Sequence, residues 1–276
     1  MRSRTRGPGG HVRSSLDMKI EAGITRYRDI PEDQIVRIDH ATLQGMDYSN
    51  RKLVKFSAIG CRLENCKFDH VEINDASFGA GGEQSEYVDC SFDNARMTIP
   101  VGGYARFAGC SFRDVDIGSW ICFAVEVIDC AFSGKLRGAI FNGTVPLENR
   151  KFANSEKNEF RGNDFSAVKF MDVTFRTGID LTQQRLPSGP GYIYVPDPVA
   201  VLARSRQYVA GNPGLELEVR HAAARTLERM QQTVDKGQKQ LFISLDTYYA
   251  HGSLPGEGLE LALSLLRNDG WPDRRE

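Results

Sequence analysis

The sequence predicts a mainly β fold: a four-sided β-solenoid of about six coils, followed by a small α-helical C-terminal domain. Three observations predict it. A Cys-X-Phe phrase recurs at Cys66-Lys67-Phe68, Cys90-Ser91-Phe92, Cys110-Ser111-Phe112 and Cys130-Ala131-Phe132. The last three copies are 20 residues apart and the first interval is 24, with Gly79-Ala80-Gly81-Gly82 supplying a four-residue loop in the longer one. Within that spacing a bulky residue falls at every fifth position, a period that is neither the helical 3.6 nor the strand 2. Beyond Pro198 the apolar residues change to steps of three and four.

The leader, residues 1–15, carries Arg2, Arg4, Arg6 and Arg13 with no apolar run behind them. It reads as a disordered basic segment rather than a secretory signal. Residues 16–35, around Ile20, Ile24, Tyr27, Ile30 and Ile35, read as one or two short strands that cover the open end of the main body.

The five-residue frame starts at Val36. Its central positions are Ile38, Leu43, Tyr48, Leu53, Ala58, Leu63, Phe68, Ile73 and Phe78. After the glycine loop come Tyr87, Phe92, Met97, Gly102, Phe107, Phe112, Ile117, Cys122, Val127 and Phe132. Leu136 and Phe141 follow a one-residue slip, 142–158 interrupts, and Phe160, Phe165, Phe170 and Phe175 finish the series. Eleven of the 15 phenylalanines sit on central positions, so the frame is not a chance pattern. Two residues before each central position is a second inward candidate, and the cysteines at 61, 66, 90, 110 and 130 all fall there.

Four such units make a 20-residue square coil, and six coils at ~4.8 Å each give a rod near ~30 Å tall. Outward positions one coil apart read Lys52, Glu72, Arg96, Asp116, a column of alternating sign that can form a salt-bridge ladder. Pro100-Val101-Gly102-Gly103 breaks the frame by placing proline and glycine at inward positions, as a bulge, a loop or a point of close approach.

This rhythm resembles the pentapeptide-repeat family, whose unit is usually written Ala-(Asp/Asn)-Leu-X-X. The likeness covers roughly 36–180. The chain departs from the family pattern in favouring Phe over Leu and in seldom placing Asp or Asn before the central residue. The resemblance implies a right-handed four-sided β-helix over 16–185, and it implies no single function.

Pro187, Gly189, Pro190, Gly191, Pro196 and Pro198 mark a linker, 186–198, whose Tyr192-Ile193-Tyr194 centre can lie across the rod's end. The domain 199–276 reads as α-helical. A first helix runs to about Tyr208 and stops at Gly211-Asn212-Pro213-Gly214. Val219, Ala223, Leu227, Met230, Val234, Leu241, Leu245 and Tyr248 keep helical steps over 215–249, with Gly237 able to kink or split the run. Leu259, Leu263 and Leu266 give one last short helix. So long an apolar stripe exceeds what a 13-residue neighbour covers. It can dock on the rod's end or pair with a second copy, and a homodimer through residues 199–268 is expected.

The chemistry-bearing residues weigh against catalysis. All six cysteines point inward, and the straight column of Cys66, Cys90, Cys110 and Cys130 offers no tetrahedral convergence for zinc and acts as a packing spine headed by Met46. The five histidines show no metal spacing. There is no GxSxG, HExxH or phosphate-loop motif. The sequence therefore predicts no catalytic residues, no cofactor, no metal and no enzyme. It predicts a cytoplasmic protein with neither membrane segment nor direct nucleic-acid contact.

Charge carries the remaining functional content. From Glu64 to Asp129 there are 12 acids against four bases. Glu64, Asp69, Glu72, Asp75, Glu83, Glu86, Asp89, Asp93, Asp114 and Asp116 are the candidate interaction surface. The sequence favours a non-enzymatic protein–protein scaffold with an unidentified partner. Quinolone-resistance members of the resembled family are thought to mimic DNA toward gyrase, which makes a topoisomerase the alternative partner. A polysaccharide-active β-helix enzyme is the remote third reading.

Overall fold

The computed structural model describes residues 11–12, 31–100, 102–151, 153, 155–249 and 256–267. The five-residue unit folds as the frame requires: a short extended run with two inward side chains, then a corner. Corners need left-handed backbone, and they recur one coil apart. Asn50, His70, Asn94 and Asp114 share one corner position, with φ 59, 56, 60 and 53° respectively. Asn65, Gly109, Asp89 and Asp129 do the same at another. Asn, Asp and Gly accept that region at the lowest cost, which explains why polar residues punctuate the apolar frame.

The rod has four sides. Side 1 is centred on Ile38, Ala58, Phe78, Gly102, Cys122, Phe141 and Phe175. Side 2 stacks Leu43, Leu63, Tyr87, Phe107, Val127 and Phe160. Side 3 carries Tyr48, Phe68, Phe92, Phe112, Phe132 and Phe165. Side 4 stacks Leu53, Ile73, Met97, Ile117, Leu136 and Phe170. All these strands run parallel, and the six on side 2 span about five turns, close to the coil count read from the sequence.

The interior confirms the column at its centre. The side 3 rings stack at centroid spacings of 4.9, 4.8, 4.6, 4.7 and 4.5 Å with interplanar angles of 3–17°. That spacing is the inter-strand distance, so each coil places a ring on the one before. Each such pair contributes about 0.5–1.5 kcal/mol beyond area burial.

All six cysteines are free and buried. The thiols of Cys66, Cys90, Cys110 and Cys130 donate toward the carbonyls of Leu43, Leu63, Tyr87 and Phe107 at 3.8, 3.4, 3.4 and 3.6 Å. Burial pushes the Cys122 thiol well above its usual range. Met46 does not head this spine; it is 40% exposed, because it belongs to the first coil and no described coil covers it.

On side 4, Lys52, Glu72, Arg96 and Asp116 are in register one coil apart. Lys52 pairs with Glu72 at 3.5 Å, while Asp116 turns to Arg137 at 2.6 Å. The break at 100–103 is a close approach. Gly103 sits at φ 67° and a Cβ there would lie 2.0 Å from the Gly79 carbonyl oxygen, so two coils touch backbone to backbone. The side chain missing at Gly102 is replaced by the buried Trp120 of the next coil, whose ring meets Phe107, Phe112 and Phe141 at 5.6–5.9 Å.

Past the rod the structure corrects the sequence. Helix α1 spans Pro198–Gly211, with the Asp197 carboxylate accepting from the Ala200 N–H. Helix α2 spans Leu217–Asp235 and does not continue to Tyr249. Gly237, at φ 95°, ends it, and Leu241–Ser244 is a strand antiparallel to Tyr192–Val195. The linker centre is thus a strand, and the C-terminal domain is mixed rather than wholly helical. Leu241 and its neighbours are apolar on both faces because one face meets the domain core and the other the rod, which made strand and helix periods indistinguishable. A short α3, Asp246–Tyr249, and α4, Glu257–Arg267, complete it.

The domain caps the rod. Phe242 meets Phe170 and Phe175 at 5.7 and 6.4 Å and stacks on Tyr192 at 5.4 Å. Its side chains satisfy backbone groups of the last coil on either side of Thr174–Arg176. The Ser244 hydroxyl donates to the Phe170 carbonyl at 2.6 Å and Tyr192 to that of Val168 at 3.2 Å. Thr247 accepts the Asp172 N–H at 2.9 Å, Gln238 that of Gly178 at 3.1 Å and Gln240 that of Leu181 at 3.2 Å.

Ala223, Leu227 and Met230 are buried with Leu202, Val209, Leu263 and Leu266 of α1 and α4, and Val234 packs partly against the same core. Val219 is half-buried. The stripe is therefore covered within the chain, and Leu245 and Tyr248, off the helix, pack partly into the same core.

At the other end, His11–Val12 pairs antiparallel with Ile38–Asp39. The rest of the leader, and the strands expected over Ile20, Ile24, Tyr27 and Ile30, lie outside the described residues. No described helix is long and apolar enough to cross a membrane.

Candidate interaction face

Both interruptions of the frame leave the rod at the same corner. Gly79–Gly82 lies between Phe78 and Tyr87, and 142–158 lies between Phe141 and Phe160; each joins side 1 to side 2. Side 2 is thus flanked by two loops, and a row of charge runs between them. Arg62, Glu86, Arg106 and Glu126 are in register, one coil apart, with alternating sign.

The row is closed by ion pairs. Arg62 meets Glu64 at 2.7 Å and also Glu86. Arg106 meets Glu126 at 2.7 Å and Glu159 at 3.0 Å. Arg161 joins Glu159 at 2.7 Å and Asp129 at 3.0 Å. The hydrogen bond from Arg161, then that from Arg106, holds the Glu159 carboxyl below its usual value. Glu126 is the most enclosed of these acids, with its side chain 14% exposed. Such partly buried, mutually bonded pairs fix geometry more than they add stability.

The 142–158 segment folds back as a strap. Thr144 and Lys157 form an antiparallel bridge. The Asn158 amide donates to the Asn142 and Phe123 carbonyls at 2.7 and 3.0 Å, and the Asn142 amide to that of Cys122 at 2.9 Å. Val145 and Ala153 pack on Tyr104 and Ala124, a small core outside the rod. Between strap and rod lies a hollow of about 260 Å³ lined by Gln84, Tyr104, Arg106, Glu126, Lys157 and Asn158 among others. Leu147, at the strap's turn, is 77% exposed, and Phe123, beside its root, is 42% exposed.

Under the glycine loop is a second hollow, about 440 Å³, bordered by His40, Arg62, Glu83 and Gln84. The His40 ring bonds Asp39 at 2.5 Å and Glu83 at 3.1 Å. These bonds, Asp39's first, raise its pKa above the usual 6.5. Among the described residues no three His, Cys, Asp or Glu side chains converge on a metal position.

The ten acids singled out in the sequence do not share one side. Glu64 and Glu86 are on side 2, Glu72, Asp75 and Asp116 on side 4, and Glu83 on the glycine loop. Seven of the ten face bases: Glu64 and Glu86 share Arg62, Glu72 meets Lys52, Asp75 meets Lys55, Glu83 meets His40, Asp93 meets Arg113 and Asp116 meets Arg137.

Others have structural work at corners. Asp69 accepts the Asp93 N–H at 3.0 Å, and Asp93 accepts the Arg113 N–H at 2.8 Å, stapling successive coils. Asp89 and Asp114 hold left-handed corners, at φ 50° and 53°. The side 2 row escaped the sequence reading, although stepping one coil along a second outward column reveals its alternating sign. No protein-family model and no curated protein matches the chain.

Proposed function

We propose that this chain is a non-enzymatic protein–protein interaction scaffold of the pentapeptide-repeat kind, and that the strap-bearing side 2 is its contact surface. The observation that carries the reading is the strap itself. A 17-residue interruption folds onto the rod and carries Leu147, with Phe123 of the rod beside its root, next to a charge row already neutralised by internal pairs. Protein interfaces are built this way, with apolar anchors at the centre and satisfied polar groups around them. Six free, buried thiols support a reducing, cytoplasmic setting.

DNA mimicry toward a topoisomerase would need acids free to project charge along one side, and seven of the ten candidates are paired with bases. Homodimerisation through the C-terminal helices would have to use residues other than the buried Ala223–Leu227–Met230 stripe.

The test is affinity capture from native extract with the intact chain and with Phe123→Asp/Leu147→Asp. The scaffold reading expects a saturable partner captured by the intact chain and lost with the double variant, whose melting curve is unchanged. Capture that ignores the two substitutions removes side 2 as the surface. Absence of any saturable partner removes the scaffold reading.

A further inference from the structure

Side 2 neutralises its own charge. The groove where rod meets cap does not. It has a volume of about 360 Å³. One wall is Thr174–Arg176, the terminal strand of the three-stranded sheet on side 1. The other walls are Leu241–Ser244, itself the terminal strand of its sheet, and α2.

The floor is apolar, with Phe175, Met230 and Ile243 all buried. The rim carries three exposed cations, Arg176, Arg229 and Lys236, against one carboxylate, Asp172. None of the three cations has an ion-pair partner among the described residues. The cap ties backbone groups of the last coil at Val168, Phe170, Asp172, Gly178 and Leu181. It steps over Thr174–Arg176, whose ladder runs on one edge alone, to Ile140–Asn142.

We propose that this groove binds an extended acidic segment of a partner protein, laid along the strand Thr174–Arg176 with its carboxylates on Arg176, Arg229 and Lys236. A terminal strand offers evenly spaced backbone donors and acceptors to an added strand. Alternate side chains of that strand would point to the apolar floor, and those between them to the cationic rim. A nucleic acid would find three cations and an opposing carboxylate, with no exposed aromatic platform for its bases. The proposal rests on the scaffold reading and adds a second contact surface, separate from side 2.

The experiment measures fluorescence anisotropy of a labelled ten-residue peptide alternating Glu and Val, added to the full-length chain. A Lys–Val peptide and a ten-nucleotide oligo(dT) serve as comparisons. The expected result is saturable binding of the Glu–Val peptide. It should weaken about tenfold or more in Arg229→Glu/Lys236→Glu and fall as salt rises. Thr174 and Arg176 turn their backbone groups to the Ile140–Asn142 side, so amide exchange at Phe175, whose N–H faces the open edge, should slow when the peptide is bound. Arg229 is exposed on α2 and Lys236 is exposed at its C-cap, and an unchanged melting curve confirms that the variant is folded.

Three results would overturn the proposal: no saturation by the Glu–Val peptide up to about 1 mM, a weak limit for any specific contact; binding indifferent to the double substitution; or tighter binding of oligo(dT). Phe123→Asp/Leu147→Asp should bind the peptide normally, so failure at the groove and failure of the strap face read out separately.

Discussion

On side 3 one aromatic ring per coil stacks on the next at 4.5–4.9 Å, with a cysteine two residues before it from Cys66 to Cys130. On side 1 the same positions hold Ile38, Ala58, Phe78, Gly102, Cys122, Phe141 and Phe175, no two successive coils alike until the last two. Where the residue repeats, packing specifies the register at every coil, and the chain can hardly be lengthened without breaking the stack. A one-residue shortening between Phe132 and Leu136 is absorbed there at Gly134, φ 91°. Where the residue varies, the interior is filled from elsewhere, as Trp120 fills the place left by Gly102. Both loops leave from the variable side's corner, and the candidate interaction face lies next to it. The regular side holds the rod, and the irregular one is free to carry function.

The largest test of that division compares two buried residues. Phe92→Ala removes a ring packed between Phe68 and Phe112 at 4.8 and 4.6 Å. It should cost about 3–5 kcal/mol in urea unfolding, the range for a core phenylalanine. Phe78→Ala, equally buried on side 1 but between coils that hold Ala58 and Gly102, should cost no more than the lower end of that range, about 3 kcal/mol. Equal losses would mean that the stack has no special standing.

A smaller effect is expected from shortening the strap. Replacing 146–155 with Asn-Gly keeps the backbone bond from the Val145 N–H to the Glu156 carbonyl and loses the Ala153 and Asn149 contacts to Tyr104. The cost should be about 1–2 kcal/mol with an unchanged urea slope, because the rod interior is untouched. A loss as large as that of Phe92→Ala would show that side 1 depends on the strap for its fold.

The same contrast explains what could be read from the sequence. The rod was legible because its interior repeats. Phe68, Phe92, Phe112 and Phe132 announce both the period and the side they occupy, and Lys52, Glu72, Arg96 and Asp116 announce the register. Met46 obeys the frame yet is exposed, since a repeat does not mark where stacking ends.

The C-terminal domain has no repeat. Leu241 and Leu245 continued the spacing of α2 by coincidence, and Gly237's left-handed backbone, which separates them from it, is a conformation that the letter G permits but does not demand. The acidic surface was misleading for a similar reason. Asp89 and Asp114 were read as charge, whereas their corners require a residue that tolerates positive φ. The groove's unpaired cations were beyond reach because Arg176 and Arg229 are brought together by the packing of cap on rod.

A third test reads local opening. Thiol labelling of the native protein should be slow at all six cysteines, which are buried. Cys122 should nevertheless label about tenfold faster than Cys90 or Cys110, an opening cost lower by roughly 1.4 kcal/mol on the variable side. Mass spectrometry of timed samples resolves the sites. Column cysteines that label first would reverse the assignment of the rigid and pliant sides.

The smallest effect concerns His40, which ties the glycine loop to the first coil through Asp39 and Glu83. Those bonds favour the protonated ring, so its folded-state pKa lies above the usual 6.5. A raised pKa contributes stability that is complete below the unfolded value and disappears as pH rises through the folded one. The contribution should therefore be full at about pH 6 and fade toward about pH 8.5, where carboxylates no longer titrate. For so exposed a ring the expected drop in Tm across that window is on the order of 1 °C. His40 sits at a left-handed corner, φ 46°, so the informative variant is His40→Asn, which keeps the turn and removes the cation. It should flatten the pH profile and speed amide exchange in Gly79–Gly82 at pH 6. His70→Asn, at the left-handed corner beside the stacked column, is the control and should leave loop exchange as it was. A Tm step that survives in His40→Asn would place the titrating group elsewhere and leave the glycine loop held by its backbone alone.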